Sequence, residues 1–277
     1  VAIGRDALGG SIAGGEFNVC LGNNTGAAVT SGDSNVFVGH KAGIANTEGA
    51  YNVFMGGSFA SFTGASNTTG SYNIGIGTDA YDGADTETNN IAIGFAALGG
   101  SIAGGEYNLA IGNLSADALT SGDENVFLGY NSGSGLSTGS DNTCVGAGSG
   151  LSLTTGASNV LIGKNAGTAG SPFGALSDHS NHMVLGHNNI TNAGIKVALT
   201  VTSDGRDKTD IEPFEMGLDF INQLNPVTYR WDMRSNYANK TPDGTHKKPE
   251  LSAGLIAQDV EKLEKEYGYK VEDKTSV

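Results

Sequence analysis

The pentapeptide Asn35-Val36-Phe37-Val38-Gly39 decides how this chain folds. Its pattern is Asn, three mostly apolar residues, then Gly. It recurs from Asn18, Asn35, Asn52, Asn73, Asn90, Asn108, Asn125, Asn142 and Asn159. A truncated copy, Val1-Ala2-Ile3-Gly4, opens the chain, and a degenerate copy, His182-Met-Val-Leu-Gly186, closes the series. The spacing is mostly 17 or 18 residues, with longer steps before Asn73 and His182. Residues 1–39 also match residues 91–129 at a shift of 90, down to a shared Gly-Gly-Ser-Ile-Ala-Gly-Gly-Glu. Self-similarity at a fixed period marks a stacked-repeat architecture.

Each pentapeptide reads as a short strand. Its first and third apolar positions, such as Val36 and Val38 or Ile91 and Ile93, share one face at a period of two. The expectation is that this face fills a core. The middle residues run Cys20, Phe37, Phe54, Gly75, Ala92, Ala110, Phe127, Cys144, Leu161 and Val184, none charged. A strand apolar on both faces is buried on both. The middle residues are therefore expected to pack on a partner, and the natural partners are further copies about a symmetry axis. The Gly after each strand permits a tight turn or a positive φ. Three residues further on the chain is mostly Ala, Ser or Thr, as at Ala42 and Ser132, which suits a crowded turn. The recurrent Asn either forms an amide ladder along the stack or caps its own turn. About eleven registers at about 4.8 Å each give a shaft of roughly 50 Å. The fold class expected is mainly β: a repetitive trimeric β-solenoid or β-prism-like shaft, followed by a small α+β module.

Composition places the boundary between the two. Of 44 Gly in 277 residues, 39 lie in residues 1–202, together with 18 charged residues. Residues 203–277 carry 26 charges and four of the five Pro. The expected organisation is a shaft over 1–186, a connecting strand over 187–202, and a module over 203–277. Within the module, Phe214, Leu218, Ile221 and Leu224 fall at helical spacing. Residues 225–231 and 251–257 read as strands, and Gln258 to Tyr267 as a helix stopped by Gly268. The net charge of −14 and the scarcity of Lys and Arg in the shaft argue against nucleic-acid binding. No apolar run is long enough to span a bilayer, so no membrane insertion is expected. Val1 lies inside a repeat, so the sequence reads as a fragment.

Several local features resemble chemistry without its context. Cys20 and Cys144 share one repeat position and read as small core residues rather than a disulfide. Gly146-Ala-Gly-Ser-Gly150 lacks the strand and helix of a nucleotide-binding loop. His182 and His187, with His179 nearby, could meet a metal only on a threefold axis. A polar turn around the inserted segment 168–180 is the preferred reading, and no metal or cofactor is expected. The acidic and Tyr residues of 71–90 form no evident carboxylate pair for glycoside hydrolysis.

The shaft pattern resembles the beaded repeats of phage tail-fibre shafts, and also the Asn-x-x-x-Gly heads of trimeric autotransporter adhesins. The module is more specific. Ser203-Asp-Gly-Arg-Asp-Lys-Thr-Asp-Ile211 is followed by a helix, then Pro226-Val-Thr-Tyr-Arg-Trp231, then Gly254-Leu-Ile-Ala-Gln-Asp-Val-Glu261. This order resembles the intramolecular chaperone domain of the peptidase S74 family, found at the C-terminus of phage tailspikes, endosialidases and neck appendages. The resemblance implies a domain that trimerises, drives folding of the β-structured part upstream, and is released by its own cleavage. It places the nucleophile at Ser203 and the base at Lys208, with the bond between Ser203 and Asp204 cut. Asp204, Arg206 and Asp207 match supporting positions. A lysine serves as base where burial lowers its pKa, and a serine hydroxyl needs such a base. Family members continue into a further helical segment, so the module is expected to be incomplete at its C-terminus.

The reading that follows is a homotrimeric phage tail fibre or spike for host-surface attachment, taking a cell-surface glycan or other receptor. It would be made in the host cytoplasm and carried on the virion. Any enzymatic activity is expected to be a single-turnover serine–lysine self-cleavage. The alternatives are a polysaccharide-degrading tailspike and a trimeric bacterial adhesin.

Overall fold

The computed structural model describes residues 1–10, 14–58, 60–192, 217–232 and 241–267. The chain divides into two compact units, Val1–Ile195 and Lys196–Val277. The predicted strand Ile195–Val201 lies outside the described residues.

In the first unit, eleven strands form one parallel sheet in sequence order. They are β1 (Ala2–Ile3), β2 (Val19–Leu21), β3 (Val36–Val38), β4 (Val53–Met55), β5 (Ile74–Ile76), β6 (Ile91–Ile93), β7 (Leu109–Ile111), β8 (Val126–Leu128), β9 (Thr143–Val145), β10 (Val160–Ile162) and β11 (Met183–Leu185). The register is constant: Val36 pairs with Val53, Phe37 with Phe54, Val38 with Met55. Each repeat is thus one coil of a parallel β-solenoid, and each pentapeptide contributes one strand. Parallel strands need a long return connection, and the 17- or 18-residue period supplies it.

The faces of the strands are the reverse of the sequence expectation. The middle residue points into the coil: Cys20, Phe37, Phe54, Ala92, Ala110, Phe127, Cys144 and Leu161 are fully buried within the single chain. The first and third positions point out and are half-buried or exposed. The physical reason lies at the ladder Asn and at the Gly. The Asn lies an even step from the middle residue and is itself buried, so the middle residue shares its side, and the Gly at the other end, pressed on the next coil, ends the strand. The alternation was legible, but its phase was not.

Inside the coil, volume is traded between the middle strand position and a later one, six residues on, or ten in the coil that carries the insertion after Gly56. Where the strand presents a large side chain, the later position is Gly: Phe37 with Gly43, Phe54 with Gly64, Phe127 with Gly133, Leu161 with Gly167. In two coils where the strand presents a small one, the later position fills the space: Gly75 with Tyr81, Ala92 with Leu98. A Cβ added at Gly43 would lie 2.8 Å from the Phe37 ring. The rings stack from coil to coil. Phe37 and Phe54 have centroids 5.4 Å apart, and Phe54 continues onto Tyr81 at 6.0 Å. Tyr81, entering from the other position, donates its hydroxyl to the Glu87 carbonyl oxygen at 2.9 Å.

The recurrent Asn is fully a ladder and also a cap. Each Oδ1 accepts the backbone N–H of the next Asn, from Asn35 to Asn18 through to Asn159 on Asn142, at 2.9–3.1 Å. The His182 N–H closes the series on Asn159 Oδ1 at 2.9 Å. Each Nδ2 donates to a turn carbonyl on the way to the next rung, as Asn35 does to Gly49 at 2.8 Å and Asn125 to Gly139 at 2.9 Å. These side chains are buried, so their polar groups need such partners. The Gly ending each strand is forced by contact between coils: Gly39 has φ +124°, and a Cβ there would collide with the Gly56 carbonyl. The residue before each Asn is also left-handed, as at Ser34, Tyr51, Tyr72, Asn89, Tyr107 and Glu124.

The two long steps between strands are accommodated as surface insertions. The first follows Gly56 and the second follows Gly167, without breaking the register of β4 with β5 or β10 with β11. Cys20 and Cys144 are buried free thiols, seven strands apart in the sheet. At about 4.8 Å per strand no disulfide can join them within one chain.

In the second unit, α1 (Gly217–Gln223) precedes an antiparallel pair, β12 (Val227–Tyr229) and β13 (Ser252–Gly254), followed by α2 (Ala257–Glu266). These elements fall where the helical spacing and apolar runs put them. Pro213, Phe214 and Gly268 lie outside the described residues.

Candidate functional site

The exposed strand face of the first unit is its most unusual surface. From β2 to β11 its two columns contain only Val, Leu, Ile and Met, with the exception of Thr143. Leu21 is 46% exposed, Leu128 45% and Leu185 60%. The columns run the length of the sheet, a strip roughly 50 Å long. Parallel sheets are normally covered on both faces. Here the chain's own coil covers one face and leaves the other open. Contiguous apolar surface on this scale marks an interaction site.

The second unit shows the same imbalance. Of its described apolar side chains Phe220 is the buried one, held edge-on by Tyr267 with ring centroids 5.6 Å apart. Gln223 donates to the Tyr267 hydroxyl. Leu218, Ile221, Trp231 and Leu251 are all more than half exposed. A cavity of about 220 Å³ opens between the end of α1 and α2, lined by Leu224, Leu255, Ile256, Val260 and Leu263 among others. Helix α2 contains no buried residue and is held by the exposed pair Lys265–Glu261 at 2.8 Å. Among the described residues, so small a buried core supplies little stability by itself.

Ser203, Asp204, Arg206, Asp207 and Lys208 lie outside the described residues. The His candidates are described. His182 Nδ1 lies 2.8 Å from the Ser180 carbonyl oxygen, and its ring meets His179 and Phe173 edge-on at 5.5 and 5.4 Å. His187 Nδ1 accepts the Asn189 N–H at 3.4 Å and lines a separate cavity with Lys164 and Asn165. Among the described residues no group of three or more His, Cys, Asp or Glu is placed to hold a metal ion.

The acidic stretch 71–90 serves the fold. Glu87 is buried, and its carboxylate accepts backbone N–H groups from Asp85 at 2.8 Å, Thr86 at 3.0 Å and Gly104 at 2.9 Å. Burial, with Asp79 beside it, pushes the Asp82 carboxyl above its ordinary range. Burial pushes the Tyr81 phenol well up. Gly146 and Gly150 occupy ordinary repeat positions: a Cβ at Gly150 would strike the Cys144 thiol. Among the described residues no helix is long and apolar enough to cross a membrane.

Sequence reasoning missed a column of exposed aromatics one residue before the ladder Asn. Phe17, Tyr51, Tyr72 and Tyr107 are each more than half exposed, and the Tyr51 and Tyr72 rings stack at 4.9 Å. The signal was present in the repeat alignment, because these residues occupy one position relative to Asn.

The family model for peptidase S74, the chaperone of endosialidase, matches residues 203–269. No curated protein and no solved structure matches the chain. The matched span covers Ser203 and Lys208 and runs through α1, the strand pair and α2. A parallel β-solenoid followed by a chaperone-of-endosialidase segment fits a tail fibre or tailspike with a C-terminal chaperone domain.

Proposed function

We propose that three copies of this chain assemble through the exposed strand face into a fibre that attaches its virion to a host surface. The observation that carries this reading is the apolar strip on the first and third strand positions, open along β2 to β11. Three-fold packing of these strips would cover the second face of each sheet and remove the strip from water. The C-terminal module supports assembly as well, since its described apolar side chains find little cover among the described residues. Parallel pairing at long sequence separation is slow to form and open to register slips. A module that brings three chains together first would set a common register for the coils upstream.

Release of the module follows in this reading. Lys208, as a neutral amine, takes the proton of a Ser203 hydroxyl, and the oxygen adds to the Ser203 carbonyl carbon. The C–N bond to Asp204 breaks as Lys208 passes the proton to the departing Asp204 amine, and water then hydrolyses the ester. Asp204, Arg206 and Asp207 orient the pair. Synthesis in the host cytoplasm precedes incorporation into the virion. Ser203→Ala should leave one uncut chain in a denaturing mass measurement while the assembly still forms. Cutting at the same bond in that variant would remove Ser203 from the role.

A further inference from the structure

We infer that the exposed aromatic column of the shaft binds neutral saccharide chains by sandwiching single pyranose rings. This rests on the attachment reading above and names a surface and ligand class for it.

The column consists of the residues that precede each ladder Asn. Every one has a left-handed backbone, which the fold demands at each coil. Asn, Asp and Ser adopt that conformation most readily, and several coils use them. Phe17, Tyr51, Tyr72 and Tyr107 do not suit it, with φ between 58° and 61°. Their rings are 53–80% exposed, so core packing does not explain the choice. Bulky residues held in this region without burial point to a function.

The order along the shaft is specific: Phe17, Ser34, Tyr51, Tyr72, Asn89, Tyr107. Tyr51 and Tyr72 stack on each other with planes 6° apart. Ser34 lies one coil before Tyr51, and Asn89 one coil after Tyr72. Beyond each small polar residue comes another aromatic, two coils away, at about 10 Å. In this reading each triplet offers its two aromatic rings as walls and the small polar residue between them as a floor. A saturated sugar ring is thicker than an aromatic one and presents C–H groups on both faces and hydroxyls around its rim. Such a ring fits the walls and can hydrogen-bond the floor. The shaft is acidic, with fourteen anions against four cations in residues 1–202, which disfavours anionic glycans. An apolar partner protein would favour the strand face instead.

The test uses the full-length protein titrated with neutral hexasaccharides of glucose, galactose, mannose and N-acetylglucosamine, read by heat and tyrosine fluorescence. The double variant Tyr51→Ser, Tyr107→Ser removes one wall from each slot. Serine already occupies this column at Ser34 and Ser158, so folding is retained. At least one hexasaccharide should bind, about tenfold or more weaker in the double variant. Tyr→Phe at the same sites should keep most of the affinity. The inference is overturned if none of the four binds the parent, or if the double variant binds as the parent does. Binding of an aromatic-rich peptide and of no sugar would likewise overturn it. Adsorption of the labelled protein to bacterial envelopes is read separately. Adsorption that survives the double substitution leaves attachment standing and moves it to another surface.

Discussion

Asn125→Ala should open the shaft at one rung. In the folded coil, Asn125 Oδ1 accepts the Asn142 backbone N–H at 2.9 Å, and Asn125 Nδ2 donates to the Gly139 carbonyl at 2.9 Å. Both groups sit beside a fully buried side chain, out of reach of bulk water. The substitution orphans one donor and one acceptor. At about 1–3 kcal/mol for each unsatisfied group, the loss is about 2–6 kcal/mol. In a stacked-repeat protein this loss falls on the contact between neighbouring coils, because each coil touches only its neighbours. Hydrogen exchange followed by mass spectrometry reads it directly. Peptides spanning β8 and β9 should exchange at least about 25-fold faster, while those spanning β3 and β4 stay as in the parent. Glu124→Ala, one residue earlier and exposed, should change exchange little. Unchanged exchange around Asn142 in the Asn125→Ala protein would refute the claim that the amides hold the coils together.

The exchange of volume inside the coil gives a second expectation. Ala92→Phe should destabilise by about 1–3 kcal/mol, because Leu98 already fills that space, and adding Leu98→Gly should restore most of it. A double variant no better than the single in urea unfolding would refute the trade. The thiols give a third. Burial pushes Cys20 up to about 11 and Cys144 up to about 12 from an ordinary 9.0. Above pH 9 the unfolded chain releases protons that the folded chain retains. Stability is therefore full below that pH and falls through the folded values, by about 1.4 kcal/mol per pH unit for each thiol. Replacing both cysteines with Ala should flatten urea midpoints measured between pH 8 and 10; an equally steep fall would contradict this.

Much of the shaft was legible because one residue type recurs for one reason. Asn at a fixed step gives the coil, the strand position and the parallel register together. The Gly after each strand announces a backbone that no Cβ allows, and Gly39 against Gly56 shows why. The phase of the strand was not legible. Phe37 and Val36 are both apolar, and alternation alone does not say which side the return chain covers. That choice depends on where Asn35 and Gly39 turn, which is a property of the closed coil. The pairing of Ala92 with Leu98 was hidden for a related reason: the two occupy one space only after the chain has wound round. The likeness to the chaperone family over 203–269 was legible through spaced motifs, Ser203 to Ile211 with Pro226 to Trp231 and Gly254 to Glu261, which act as a set. The aromatic column escaped notice because Tyr51 and Tyr72 look like scattered turn residues until the coils are stacked.

The account stands on the open strand face being covered by other copies of the same chain. Native mass spectrometry of the full-length protein tests this most directly, with hydrogen exchange on β2 to β11 in the same preparation. Three chains per particle, with strand amides protected, is the predicted result. One chain per particle, with the Leu21, Leu128 and Leu185 face open to water, would contradict it.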